Sequence, residues 1–126
     1  MSETDIKEWI KLAVHDMETA DLLIKEKGHA DIIIYHLHQA IEKLLKALTI
    51  KSNKQVAKVH FLDKLLAEII DHYPKLNDIK EYVLEINLYL PKLRYPYGDE
   101  IKLEEAEGLY NKFGHVKEVL LSILKS

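Results

Sequence analysis

Apolar residues recur at steps of three and four along almost the whole 126-residue chain, and this spacing constrains the fold more than any other feature. Residues three or four apart share one face of an α-helix, so the pattern predicts amphipathic helices. It is densest between Ala30 and Lys51. The stripe there consists of Ile34, Leu37, Ile41, Leu44 and Leu48, widened by Ile33, Ala40 and Ala47. This segment therefore predicts the central, most buried helix.

Four further helices are predicted around this central one. Their predicted bounds are about Thr4 to Gly28, Phe61 to His72, Asn77 to Leu90, and Leu103 to Leu124. Pro91 and Pro96 oppose further helix after Leu90, because an interior proline costs about 3 kcal/mol. No segment alternates as a strand would. We therefore predict a single all-α domain over residues 1–126, an up-and-down bundle of about five helices with four long helices framing the core.

Composition excludes several classes of protein. The chain has no cysteine, which rules out disulfides and thiolate metal sites and favours a reducing, cytoplasmic location. No run approaches the ~18 apolar residues of a membrane span. Glu26 and His29 have the Glu-x-x-His spacing of di-iron bundles, but the motif occurs once and straddles Gly28. We expect no metal and no cofactor, and the net charge of −3 argues against non-specific nucleic-acid binding.

The predicted central helix also carries two polar stripes. One consists of His36, Gln39 and Lys43, and the other of His38, Glu42 and Lys46. Because residues three or four apart are neighbours on a helix, these groups could line one concave site. On the first helix, Asp16 lies on an otherwise apolar face and needs a donor, for which Arg94 is the first candidate.

The segment LPKLRYPYGDE interrupts the helical pattern and contains Arg94, the one arginine among 18 basic residues. A guanidinium presents a planar fork of donors that grips a carboxylate or phosphate in two places, which an ammonium cannot do. Pro91 and Pro96 would hold that fork in place before a ligand arrives, which lowers the cost of binding. Arg94 is therefore either an anion-binding residue, flanked by the tyrosines on either side of Pro96, or an internal partner of Asp16 or Glu42.

Three segments in order resemble a known family, the HEPN domain (higher-eukaryote and prokaryote nucleotide binding). They are YHLHQAIEKLLKAL (35–48), KVHFLDKLL (58–66) and LPKLRYP (90–96), and Trp9, Ala13 and Asp16 are similar to the family's opening helix. The resemblance covers the chain from about Trp9 to the last helix. It implies an all-α bundle that commonly dimerises, with a polar site at or near the interface. Stand-alone prokaryotic members are implied partners of small nucleotidyltransferases, often in two-gene toxin–antitoxin modules.

The resemblance also implies a test for ribonuclease activity, because many members are metal-independent ribonucleases with an arginine followed after four to six residues by a histidine. Counted from Arg94, that histidine would fall on Asp99, Glu100 or Ile101, and the next histidine is His115. A carboxylate is already deprotonated at neutral pH unless burial raises its pKa, and it would repel the RNA backbone. The broken signature argues against an enzyme and favours nucleotide or partner binding of the "RYP" type.

The leading interpretation is a homodimeric HEPN protein that binds a nucleotide or serves as the accessory partner of a nucleotidyltransferase, in a toxin–antitoxin module. Its candidate ligand-binding residues are Arg94, Lys43 and Lys46 for phosphate, Tyr95 and Tyr97 for stacking, and Gln39, Glu42 and His60 for the sugar or base. One alternative is a ribonuclease toxin with a degenerate motif, in which Arg94 acts with His60 or His38. Another is a pure protein-interaction module. Dimerisation is expected because a domain of this size would leave part of its most apolar helix uncovered.

Overall fold

A long antiparallel helix pair forms the centre of the molecule. In the computed structural model, which describes residues 3–96 and 98–126, α1 spans Glu3–Lys25 and α2 spans Ala30–Lys51. Trp9 near the start of α1 meets Lys46 near the end of α2, so the two helices run in opposite directions. The last helix, α6 (Leu103–Lys125), packs along α2 as well. The three long helices agree closely with the predicted bounds, since each is specified by a sustained apolar stripe.

The turn between α1 and α2 uses its residues differently from the prediction. Gly28, the predicted end of the first helix, does not take the left-handed conformation that is common at helix ends; the positive φ of 53° belongs to Lys27. A Cβ atom at Gly28 would lie 2.8 Å from Leu23 Cδ2, so a larger residue there would displace the end of the Leu23 side chain. The backbone N–H of Gly28 also donates to the carbonyl of Leu23 at 2.7 Å, which closes α1.

The middle of the chain is divided into shorter pieces than predicted. They are α3 (Leu62–Ile69), a 3₁₀ turn (Pro74–Asp78), α4 (Lys80–Asn87) and α5 (Leu90–Arg94). Asn77, the predicted start of the fourth helix, lies inside the 3₁₀ turn, where its side-chain amide donates to the Pro74 carbonyl at 2.9 Å. The fourth position of the bundle is therefore filled by α3, the 3₁₀ turn and α4 together.

Pro91 begins a helix rather than preventing one. The chain breaks helical pairing at Leu88 and Tyr89, and Pro91 then lies in the first turn of α5. A proline is tolerated there because the first-turn N–H groups have no intrahelical acceptor. Arg94 is thus the last residue of a short helix and not part of a loop. Leu90 is the buried residue that anchors this helix to the core.

Most of the apolar surface of α2 is covered within the single chain, but Ile32 and Tyr35 near its start are 41% and 42% exposed. Fourteen of its 22 residues are buried, and α2 contacts α1, α3, α4, α5 and α6. The all-α bundle is therefore confirmed, with no strand in residues 3–96 or 98–126. The expectation that part of α2 stays uncovered therefore holds only for its first turns, because the other helices bury the rest. None of the described helices is long and apolar enough to cross a bilayer.

Candidate functional site

The first polar stripe of α2 is neutralised by α1. His36 Nδ1 donates to Asp16 Oδ1 at 2.7 Å, and Lys43 Nζ donates to Asp16 Oδ2 at 2.5 Å. Asp16 is 7% exposed, so its charge has been taken out of water and is stabilised by these two donors. The expected need of Asp16 for a donor is met, but its partners are His36 and Lys43 and not Arg94. We call these three residues the Asp16 cluster.

The second polar stripe forms a separate cluster around Glu42. Lys46 Nζ donates to Glu42 Oε2 at 3.1 Å, and His60 Nδ1 lies 3.3 Å from both carboxylate oxygens. Glu42 is 3% exposed, whereas the His60 side chain is 54% exposed. The Lys46 ammonium also lies 5.3 Å from the centroid of the Trp9 ring. Glu42, Lys46 and His60 form the Glu42 cluster, in which one imidazole edge is bound inside and the other side reaches solvent.

His38, one turn before Glu42 on α2, is buried without a hydrogen bond. Its exposure is 0%, and neither ring nitrogen has a partner among the described residues. A buried polar atom without a partner costs about 1 to 3 kcal/mol relative to the same atom in water. His38 thus lowers the stability of an otherwise well-packed helix. A buried polar side chain without a partner calls for an explanation other than packing.

The environment of His38 keeps its imidazole neutral. Burial is the largest effect and lowers the pKa of His38 from 6.5 to about 4. Glu42 raises this pKa, while Arg94 and His60 lower it further. His38 therefore lies within electrostatic reach of the Glu42 cluster and of Arg94. These three groups come from α2, from the segment before α3 and from α5.

Arg94 stands at this site with its charge uncompensated. It is exposed, and in the part of the chain that the structure describes it has no hydrogen bond or ion pair. The two buried carboxylates proposed as its internal partners, Asp16 and Glu42, already hold a lysine and a histidine each. An internal role for Arg94 as a partner of either carboxylate is therefore wrong. The guanidinium remains available to an anion from outside.

Asn87, which was not among the predicted site residues, holds the chain segment that carries His60. Its side-chain oxygen accepts the backbone N–H of Leu62 at 2.8 Å, and its amide nitrogen donates to Asp63 at 3.3 Å. This bond caps the first turn of α3 from another helix and fixes the segment that carries His60. The signal in the sequence is weak, because an asparagine shortly before a proline is also an ordinary helix-ending residue.

The acidic residues that occupy the expected histidine positions line a cavity apart from the Asp16 and Glu42 clusters. Asp99 and Glu100 line a cavity of about 350 Å³ together with His29 and Asp31 at the start of α2. The N-cap residue His29 makes no side-chain capping bond, and the backbone N–H groups of this first turn carry the positive end of the helix dipole. Carboxylates are favoured in such a position. This gives a physical reason for acids there in place of an imidazole.

The remaining candidate residues are Gln39, Tyr95 and Tyr97. Gln39 is half-buried on α2. Tyr95 is 58% exposed and borders the same cavity as Asp99, whereas Tyr97 lies outside the described residues. Within residues 3–96 and 98–126, no three histidine or acidic side chains are grouped so as to hold a metal ion.

A model of the HEPN domain matches residues 6–124, nearly the whole chain. The helical fold thus belongs to a known class, and the chain is a member of the HEPN domain family. Neither the curated proteins nor the solved structures contain a significant match. Family membership associates the chain with a role connected to nucleotides or RNA.

Replacing His38 by leucine should make the protein more stable and its stability less dependent on pH. At pH 7.5 we expect a gain of roughly 1 to 3 kcal/mol, because two unpaired polar atoms leave the core. A histidine with a lowered pKa binds fewer protons folded than unfolded, so the wild type loses stability as the pH falls from about 6.5 towards 4. The difference between 6.5 and about 4 corresponds to about 3 kcal/mol. Urea unfolding followed by circular dichroism at several pH values measures both effects.

The matched control is His36→Leu, the same substitution two residues earlier. His36 donates to buried Asp16, so its loss should reduce stability at neutral pH. A loss of stability in His38→Leu at pH 7.5, with an unchanged pH profile, would show that His38 has a hydrogen-bond partner in solution.

Proposed function

We propose that this HEPN protein binds the phosphate group of a nucleotide at Arg94, with His60 and the surrounding polar site contacting the sugar or base. The observation that carries the proposal is the exposed guanidinium of Arg94, which has no ion pair among the described residues, while the buried carboxylates of Asp16 and Glu42 are paired with Lys43 and Lys46. A charge-assisted, two-pronged bond to phosphate is the strongest contact that such a group can form.

The contributions of the two lysines differ from those in the sequence-based hypothesis. Lys43 donates to Asp16, and Lys46 is 6% exposed and donates to Glu42. In this proposal they hold the carboxylates in place and leave the phosphate to Arg94. Lys92, exposed on the same short helix as Arg94, supplies a second positive charge near the site. Tyr95 remains the candidate for stacking on the base.

Arg94→Lys should fold normally and bind ADP at least about tenfold more weakly than the wild type. Lysine keeps the charge but removes one of two parallel contacts, and a bond to a charged group contributes about 1.5 to 3 kcal/mol. Isothermal titration calorimetry at fixed ionic strength measures the affinity. Lys11→Ala, which removes an exposed positive charge from α1, is the control for a general charge effect. Equal affinity in wild type and Arg94→Lys would assign Arg94 a role other than phosphate binding.

The protein is further proposed to act in the cytoplasm as a homodimer and as the accessory partner of a small nucleotidyltransferase in a toxin–antitoxin module. The family often forms dimers. Phe61 and Leu88 are 48% and 77% exposed, and the bond from Leu62 to Asn87 brings their chain segments together beside His60. Exposed apolar side chains grouped next to a polar site are typical of an interface. A stable complex after co-expression with a nucleotidyltransferase encoded beside this chain would support that partner, and separate elution would oppose it.

Dimerisation through this apolar surface predicts a mass twice the 14.7 kDa of one chain in analytical ultracentrifugation at micromolar concentration. Leu88→Lys should shift the protein to the single-chain mass, because a charge would be buried against an apolar surface. Leu22→Lys is the matched control, since Leu22 is 59% exposed on α1. A wild type that sediments as a single chain would rule out the dimer.

A second candidate function is metal-independent cleavage of RNA. The observation that favours it is the bond from His60 Nδ1 to Glu42, which orients the imidazole while the side chain stays half exposed. A carboxylate-oriented histidine can take a proton from a 2′-hydroxyl group through its other nitrogen, and Arg94 would then stabilise the charge that develops on the phosphate.

Expression in a bacterial host separates the two candidates. A ribonuclease should arrest growth and degrade RNA, and both His60→Gln and Arg94→Ala should relieve the arrest. His115→Gln, which changes an exposed histidine of α6, should leave it unchanged. Normal growth with intact RNA, at an expression level confirmed by immunoblot, would exclude the ribonuclease.

A further inference from the structure

A cavity between α4 and α6 combines an apolar floor with an acidic rim. Its volume is about 370 Å³, at the lower end of the range for small-molecule sites. The walls come from the end of the 3₁₀ turn and α4 on one side and from α6 on the other. We propose that this cavity binds a small organic cation with an apolar body, of the aliphatic diamine class. It shares no residue with the proposed phosphate site, so the inference does not depend on the proposed function.

Three buried side chains form the floor of the cavity. Ile79 and Val116 are each 2% exposed, and Tyr82 is 8% exposed. The hydroxyl group of Tyr82 donates to the carbonyl of Leu109 at 2.7 Å, so the one polar atom of this side chain is bonded inside the protein. The floor therefore offers a ligand apolar surface and no hydrogen-bonding group. A tyrosine ring can also attract an ammonium group that lies over its face.

Three exposed carboxylates line the rim, and little positive charge faces them. They are Asp78, Glu81 and Glu85. Within residues 3–96 and 98–126, the side chains of Asp78 and Glu81 have no hydrogen bond or ion pair. Lys112 Nζ lies 3.7 Å from Glu85 Oε1, and these two side chains are 65% and 47% exposed, so the pair is weak. His115, also exposed, completes the rim on α6.

The helix dipole accounts for two of the three carboxylates. Asp78 and Glu81 lie at the start of α4, where the backbone N–H groups favour negative charge. Glu85 lies in the last turn of α4, where the dipole disfavours it. It also follows Glu81 by four residues, and like charges at this spacing repel each other on a helix. A cation bound between Glu81 and Glu85 would relieve that repulsion.

The spacing of the carboxylates and the apolar floor together indicate the class of ligand. Residues four apart are separated by about 6 Å along a helix. A chain of four methylene groups separates two ammonium groups by a similar distance, and each ammonium group donates to a carboxylate that only accepts. The methylene groups would then cover the floor. A metal ion would match the charge but would leave the floor in contact with water.

Isothermal titration calorimetry with putrescine, a diamine with four methylene groups, tests the site at fixed ionic strength. Mg²⁺ has the same charge and no apolar body, and it should bind about tenfold more weakly, since burial of two methylene groups alone accounts for that factor. Glu81→Gln should weaken putrescine binding about fivefold, as expected for one exposed ion pair. Lys112→Gln should strengthen it, because the cation that competes for Glu85 is removed.

The matched control is Glu18→Gln, the same change of charge at an exposed position of α1, which should leave the affinity unchanged. All three variants replace exposed side chains, and circular dichroism checks that each is folded. Equal weakening in Glu81→Gln and Glu18→Gln would attribute binding to the net negative charge and overturn the site. Mg²⁺ bound as tightly as putrescine, weaker binding in Lys112→Gln, or no putrescine binding at millimolar concentration would overturn it as well.

Discussion

The pairing of Glu42 with Lys46 and His60 is the interaction on which the candidate site depends. Glu42 raises the pKa of His38 and Arg94 lowers it, so both charges act on the same buried ring. With its oxygens already bound by Lys46 at 3.1 Å and His60 at 3.3 Å, Glu42 has no need of a further cation. A buried ion pair is costly to break, because the remaining charge would stay in a medium of low polarity. The interior thus leaves Arg94 to the solvent side.

The long helices could be predicted from the sequence because their apolar stripes run over several turns. α2 is the best case, since its observed bounds, Ala30–Lys51, agree with the predicted ones. The middle of the chain could not be divided in the same way. α3 and α4 have eight residues each, too few for a stripe to mark the ends, and the 3₁₀ turn at Pro74–Asp78 resembles a helix start in its sequence. Pro91 was interpreted as a helix breaker, although proline is equally suited to a first turn.

The polar residues of the site could be predicted from the sequence, but the pairs that they form could not. Periodicity alone indicated two polar stripes on α2 and a buried carboxylate on α1. Which lysine would meet which carboxylate depends on how α1 rotates against α2 and where the segment before α3 crosses α2, and these are properties of the packed core. The unpaired state of His38 and the cap that Asn87 provides for α3 also arise from contacts between distant segments. A single sequence contains no local pattern for either.

The use of one arginine among many lysines is explained by what the lysines do. Lys43 and Lys46 hold the two buried carboxylates, while Lys51 donates to the carbonyl of Ser126 at 2.7 Å and Lys54 donates to that of Glu68. A flexible ammonium suits each of these tasks, since one point contact to an oxygen is sufficient. Arg94 instead ends a five-residue helix anchored by buried Leu90, with prolines near both ends. A rigid backbone position helps only a side chain whose orientation matters for binding. The guanidinium of Arg94 is planar and presents its donors in fixed directions, whereas a lysine ammonium does not.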